Sequence, residues 1–262
     1  MFKASISDPK LWKSLLVAIS TLIEEADFNA TLDGIQLRSM DQAHVAMIDF
    51  EWQKTAFDEY TCPKPTKIRV NIATMLKLLK RVGGDEILEM LYDEKTRKLN
   101  LTLRGRIMRK FTMPTVDPVQ EEVPTPKITF NSKVKLTTSA FRDMIDDAQA
   151  VSDKYVELET TPEKLTAAAT SELGSSALIE LYKGSDLLFE IEVKEPSKAS
   201  FSLNYLSAIT KAGASASEIV TVEFSSRMPI RLKFDVPRQG QLLYYLAPSL
   251  EAEYPLREHS AR

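Results

Sequence analysis

Ser39, Asp41 and His44 fall close together in the stretch Leu37–Phe50, and they are the residue types of a nucleophilic hydrolase. In that chemistry a histidine base takes the serine proton, a carboxylate orients the imidazole, and the alkoxide attacks an acyl group. The supporting signals are missing: the sequence has no GxSxG elbow and no glycine-rich phosphate loop. His259 is the only other histidine and Cys62 the only cysteine, so neither a zinc site nor a disulfide framework has its donors. The expectation is no catalytic residue, no metal and no cofactor. The same stretch supports a second reading. It starts as a strand, breaks at Ser39-Met-Asp41, and resumes with Val45, Met47, Ile48 and Phe50, which suits the apolar wall of a docking groove with His44 on its rim. Taken alone, the stretch leaves both readings open.

The elements around it narrow the choice. Asp8-Pro9 supplies a helix N-cap and an N1 proline, followed by Leu11, Leu15, Ala18, Ile19 and Leu22 at helical spacing. A second helix is predicted from Asn71, with Ile72, Met75, Leu76 and Leu79 as its apolar stripe and Gly83-Gly84 as its stop. Ile87–Tyr92 and Lys98–Leu103 flank the turn Asp93-Glu-Lys-Thr96 as a hairpin. Residues 114–126 hold Pro114, Pro118, Pro124 and Pro126 with Asp117, Glu121 and Glu122, the composition of an extended connector rather than a strand. Beyond the connector the pattern returns. Val70–Lys80 is echoed 131 positions later by Phe201–Lys211, Glu86-Ile-Leu by Glu218-Ile-Val, and the first helix by Thr138–Ser152 with Phe141, Met144, Ile145, Ala148 and Val151. Two helices and their flanking strands repeated in one order indicate a duplication. The predicted fold class is α+β: two domains of antiparallel sheet, each carrying two helices on one face. The boundaries are 1–113, a connector at 114–126, a second domain at 127–250, and a tail at 251–262.

Composition is that of an ordinary globular protein, 44% hydrophobic and 27% charged, without an apolar run long enough to span a membrane. The N-terminus reads as a strand and the single cysteine points to an intracellular setting. The formal net charge of -3 argues against nonspecific nucleic-acid binding unless charge is segregated. It is: the helical segments carry Lys10, Lys13, Lys77, Lys80, Arg81, Arg142 and Lys211 against Asp143, Asp146 and Asp147, a net of +4, so the remainder carries -7.

The duplication, the proline-rich acidic connector, Ser39-Met-Asp-Gln-Ala-His44 and Tyr244-Tyr-Leu-Ala-Pro248 together resemble the proliferating cell nuclear antigen family of sliding DNA clamps, in an archaeal form, over residues 1–251. The resemblance implies a ring, usually of three subunits, that encircles duplex DNA without reading its sequence and is opened by an ATP-driven clamp loader. It also implies a processivity factor that tethers DNA polymerase, ligase and flap nuclease through short peptides. In such a ring the helices line the hole, which places Lys13, Lys77, Lys80 and Lys211 on channel positions and Lys10, Arg81 and Arg142 beside them. Asp143, Asp146 and Asn204 depart from the basic residues the family carries there, so phosphate contacts are expected to favour the first domain.

Carried over residue by residue, the partner-peptide groove comprises Met40, His44 and Val45, Val123 from the connector, and Pro229, Tyr245, Ala247, Pro248 and Leu250. Apolar surface with an adaptable methionine suits a groove that accepts many partners. Subunits of the family pair edge strands head to tail, here about Arg104–Met113 with Ser175–Lys183. Arg104, Arg106, Arg109, Lys110 and Phe111 would meet Ser176, Leu178 and Glu180, with complementary charge favouring a homotrimer. Two alternatives accompany this reading: a specialised subunit that assembles only with paralogues, and the hydrolase built on Ser39, Asp41 and His44.

Overall fold

The computed structural model describes residues 1–118 and 123–249. The first half of the sequence runs β1 (Phe2–Ile6), α1 (Pro9–Ile19), β2 (Glu25–Ala30), β3 (Gly34–Met40), β4 (Ala46–Gln53), β5 (Glu59–Thr61), β6 (Thr66–Asn71), α2 (Ile72–Leu78), β7 (Ile87–Asp93), β8 (Lys98–Arg104) and β9 (Arg109–Pro114). The second half runs β10 (Ser132–Thr137), α3 (Thr138–Gln149), β11 (Tyr155–Thr160), β12 (Lys164–Thr170), β13 (Ser176–Tyr182), β14 (Leu188–Val193), β15 (Ser197–Ser202), α4 (Leu203–Ala214), β16 (Ile219–Phe224), β17 (Ile230–Val236) and β18 (Gly240–Leu246). Each half thus places its two helices after its first and sixth strands, and the duplication is explicit.

The chain forms two compact units. Among the described residues, the first gathers 1–118 and 123–126 with Ser215–Ser217 and Phe234–Tyr244; the second gathers 127–214, 218–233 and 245–249. In the first unit one sheet has the order β5-β1-β7-β8-β9, and a second layer has β18-β4-β3-β2-β6. In the second unit the orders are β14-β10-β16-β17 and β13-β12-β11-β15. Neighbouring strands within the units pair antiparallel, for example with Arg38 opposite Asp49 and Met40 opposite Met47.

Local chemistry explains the helix starts. The Asp8 carboxylate accepts from Leu11 N at 3.1 Å with Pro9 in the first turn, Asn71 accepts from Thr74 N, and Thr137 accepts from Ala140 N. The buried face of α1 is Trp12, Leu15, Leu16, Ala18 and Ile19; Leu11 and Leu22, expected on the stripe, are only half-buried. Trp12 takes that place because its indole stacks on Trp52 at 5.9 Å and packs beside Phe28. The second helix ends at Leu78, before the glycines expected to stop it, and α3 ends at Gln149 rather than Ser152. Tyr244 is fully buried and donates to Ala18 O at 2.8 Å, which ties β18 to the end of α1. Burial pushes its phenol far above the ordinary tyrosine value. In the second unit Phe141, Phe201, Phe224, Leu203 and Leu206 form the core, with Phe201 and Phe224 edge to face.

One glycine is dictated by space. Gly34 has φ 151°, and a Cβ there would sit 2.2 Å from Trp52 O, so only glycine lets β3 start against β4.

Candidate functional site

The break after β3 is a tight loop over Asp41–Val45, starting two residues later than the sequence pattern suggests, because Ser39 and Met40 still pair with Ile48 and Met47. Asp41 builds the loop. Its Oδ1 accepts from Val45 N at 2.9 Å and Ala46 N at 2.8 Å, and its Oδ2 accepts from Ala43 N at 3.2 Å. That collar of N–H groups stabilises a carboxylate that is only 7% exposed. It also holds His44 at φ 56°, a left-handed conformation that non-glycine residues rarely adopt. The Ser39 hydroxyl donates to Met40 O. The Asp41 carboxylate oxygens are thus engaged by the loop backbone, and the Ser39 hydroxyl by the adjacent carbonyl.

Beside the loop lies a groove of about 580 Å³ within the first unit. Leu37, Met40, His44, Val123, Pro124 and Leu243 give it apolar wall, while Glu25, Asp27, Arg38, Asp49, Lys67 and Arg69 give it a polar floor. Of the groove residues expected from sequence, Met40, His44 and Val123 are thus brought together, and Val45 stands on the loop beside them, 37% exposed. Pro229, Tyr245, Ala247 and Pro248 belong to the second unit. There Pro229, Ala247 and Pro248 are half-buried, but Tyr245 is 7% exposed, its ring withdrawn from the surface. Near it Arg231 lies over the Phe130 ring at 4.8 Å and bonds Glu223 at 2.6 Å. Leu250 lies outside the described residues, as do 119–122 of the connector and the tail at 251–262.

The connector is fastened to the first unit at several points, among them Thr115 and Asp117, both bonded to Arg97. Val116 N donates to Arg69 O at 2.9 Å, and Arg69 is held by Glu25 and Asp27 at 2.9 and 3.0 Å. Beyond 119–122, Arg38 donates to Thr125 Oγ1 at 2.7 Å. Sequence reading passed over Arg38, Asp49 and Thr125. Half of the arrangement was available, since placing Met40 opposite Met47 forces Arg38 opposite Asp49; the reach to Thr125 leaves no local signal.

The basic residues segregate by half. Lys10 and Lys13 on α1, Lys77 on α2, and Lys80 and Arg81 in the turn after it total +5, with no acidic residue on either helix. Lys13 Nζ donates to Lys80 O at 3.0 Å, so an α1 ammonium sits on the carbonyl end of α2. On α3 and α4, Arg142 and Lys211 meet Asp143, Asp146 and Asp147, a net of -1. Asp146 lies 4.0 Å from Arg142 and 3.4 Å from Lys211, and Asp143 lies 3.6 Å from Arg142.

The two expected edges are edges: β9 ends one sheet and β13 another. Arg104 ends β8 rather than starting β9, and its guanidinium is engaged with Glu89 at 2.6 Å. Arg109 bonds Glu86 and Arg81 O, while Glu180 pairs with Lys164 and accepts from Tyr182. Three of the charges expected to complement one another across an interface are thus engaged within their own unit. Among the described residues Arg106 and Lys110 carry no ion pair. What β13 does present is apolar: none of its residues is buried, and Leu178 is 67% exposed.

Comparison with known proteins agrees with this geometry. The sequence profile described as proliferating cell nuclear antigen, N-terminal domain, matches residues 1–117, and that of the C-terminal domain matches 124–249. The chain is similar to DNA polymerase sliding clamp 1 of Pyrobaculum aerophilum, with 35% identity over 93% of this chain and 96% of that one. It is likewise similar to the DNA polymerase sliding clamp of Nitrosopumilus maritimus, with 36% identity over 96% and 99%. The crystal structure of the proliferating cell nuclear antigen from Thermococcus kodakaraensis superposes with a TM-score of 0.90 at 25% identity, covering 95% of this chain and all of that one. The chain belongs to the proliferating cell nuclear antigen family.

Proposed function

We propose that this protein is a DNA polymerase processivity factor: a sliding clamp, without catalytic activity of its own, that closes around duplex DNA and tethers replication and repair proteins. Membership of the clamp family over both domains carries the reading. It acts wherever the chromosome is replicated, and no described helix is long and apolar enough to cross a membrane.

The repeat supports closure from copies of this chain. In each half the equivalent strands are β9 and β18, and β4 and β13, by their place in the shared order. Strands β18 and β4 are already neighbours within the chain, whereas β9 and β13 are open. Repeating the β18–β4 junction between copies seats β9 of one on β13 of the next, head to tail, and three copies close the ring as a homotrimer. Covering β13 would remove exposed Leu178 and Tyr182 from water and pair an edge that otherwise invites aggregation.

Lys10, Lys13, Lys77, Lys80 and Arg81 are then the main phosphate contacts, with Arg142 and Lys211 attenuated by their carboxylates. Contacts made by lysine to phosphate alone are salt-sensitive and sequence-blind, which suits sliding. Met40, His44, Val45 and Val123 of the first unit bind partner peptides of polymerase, ligase and flap nuclease, and Pro229, Tyr245, Ala247 and Pro248 of the second unit are further contact residues for them. A clamp loader is required to open the ring.

The test is topological. After loading onto a nicked circular duplex with a clamp loader and ATP, the protein is expected to co-elute with DNA on gel filtration and to be released when the circle is cut. Equal retention on circle and linear duplex would refute encirclement.

A further inference from the structure

Arg38 lies within β3, and three of its nitrogens are committed. Its Nε and Nη2 donate to Asp49 Oδ2 at 3.0 and 2.7 Å. Asp49 is the directly opposed residue on β4, and its side chain is only 18% exposed. With that edge of the guanidinium fixed, Nη1 is directed to the connector, donating to Thr125 Oγ1 at 2.7 Å and approaching Val123 O at 3.5 Å. A planar fork held by a carboxylate loses little further freedom when its remaining arm engages a second group.

The connector's fastenings on either side of 119–122 differ in kind. At Val116 the attachment is a backbone hydrogen bond to β6, which most side chains would preserve. At Val123–Thr125 it is the Arg38 side chain. Val123 and Pro124 line the groove together with Met40 and His44. The placement of that wall therefore depends on a residue that does not itself supply apolar surface.

We propose that Arg38, fixed by Asp49, is a positioning residue for partner binding: it holds Val123–Thr125 in place so that the groove is formed before a peptide arrives. This rests on reading the groove as the docking site for peptides that end in an apolar and aromatic plug. A preformed wall spares the ordering of the connector during binding, so loss of Arg38 is expected to weaken affinity without removing any contact made by the plug.

The test uses the full chain with Arg38→Met, Arg38→Lys and Thr125→Val. Two readouts are taken: amide hydrogen exchange over 123–127, and anisotropy titration with a fluorescein-labelled synthetic peptide ending in an aliphatic and aromatic plug. Arg38→Met is expected to speed exchange over 123–127 and weaken the peptide about tenfold, the scale of one lost charge-assisted hydrogen bond. Arg38→Lys should recover only part of both, because an ammonium cannot serve Asp49 and Thr125 with one rigid fork. Thr125→Val should weaken binding less and add nothing on top of Arg38→Met. Unchanged exchange with affinity within about twofold of the wild type, or additive effects of the two substitutions, would overturn the role of Arg38. Faster exchange in Arg38→Met with no peptide bound by the wild type would instead overturn the docking reading, and the assignment to partner binding with it.

Discussion

Asp41 shows how a residue type misleads when its partners are unknown. Beside Ser39 and His44 it has the chemistry of a triad, yet its carboxylate accepts three backbone N–H groups and so shapes the loop that presents His44 and Val45. Replacing it by alanine would leave those donors unpaired in a nearly buried site. Asp41→Ala is therefore expected to cost about 2–4 kcal/mol in chemical denaturation and to weaken peptide binding. Ser39→Ala, which removes only a hydroxyl bonded to the adjacent Met40 carbonyl, should leave both unchanged. A hydrolase would give the opposite ranking in a turnover assay, with Ser39→Ala inactive.

Among the elements, the start of β9 is pinned by charge. Glu86 accepts from Gly83 N and from Arg109, both at 2.6 Å, while Arg109 also reaches Arg81 O. The Gly83 N–H first, and then Arg109, hold the Glu86 carboxyl below the usual glutamate range. A group with a depressed folded value binds fewer protons folded than unfolded. Its stabilisation is thus complete above the unfolded value of about 4.3 and is lost as pH falls through the folded one. Glu86→Gln should lower stability at pH 7 and shrink the further loss seen on acidification below about pH 4.5; denaturant midpoints at the two pH values would show a smaller difference than in the wild type.

Much at this scale was legible beforehand. Asp8-Pro9 and Asn71 announce helix starts because capping is local, and the echo of Val70–Lys80 in Phe201–Lys211 reveals the repeat because equivalent strand-to-helix junctions need equivalent side chains. The sequence was silent where distant residues decide. Trp12 displaces Leu11 on the buried stripe because Trp52 waits for it, and α2 stops short of its glycines. In the groove, Met40 and His44 came with the family pattern, whereas Arg38 reaching Thr125 joins residues 87 apart that no periodicity connects.

For the whole molecule, a net charge of -3 conceals a helix surface of +5 on the first half and -1 on the second. In the proposed clamp, concentrating lysines on one set of helices would supply DNA affinity without a basic protein, and would leave the remaining surface acidic enough to repel a duplex elsewhere. The charges once expected to join subunits, Arg104, Arg109 and Glu180, are spent on Glu89, Glu86 and Lys164. Association should therefore rest on strand pairing and on Leu178 and Tyr182, and should survive salt that dissociates ion pairs.

All of this turns on closure from identical copies. Light scattering on the purified chain at micromolar concentration is the direct measurement. The account predicts about 88 kDa, three times the chain mass of 29.5 kDa, unchanged by added salt. A mass of 29.5 kDa under those conditions would contradict it.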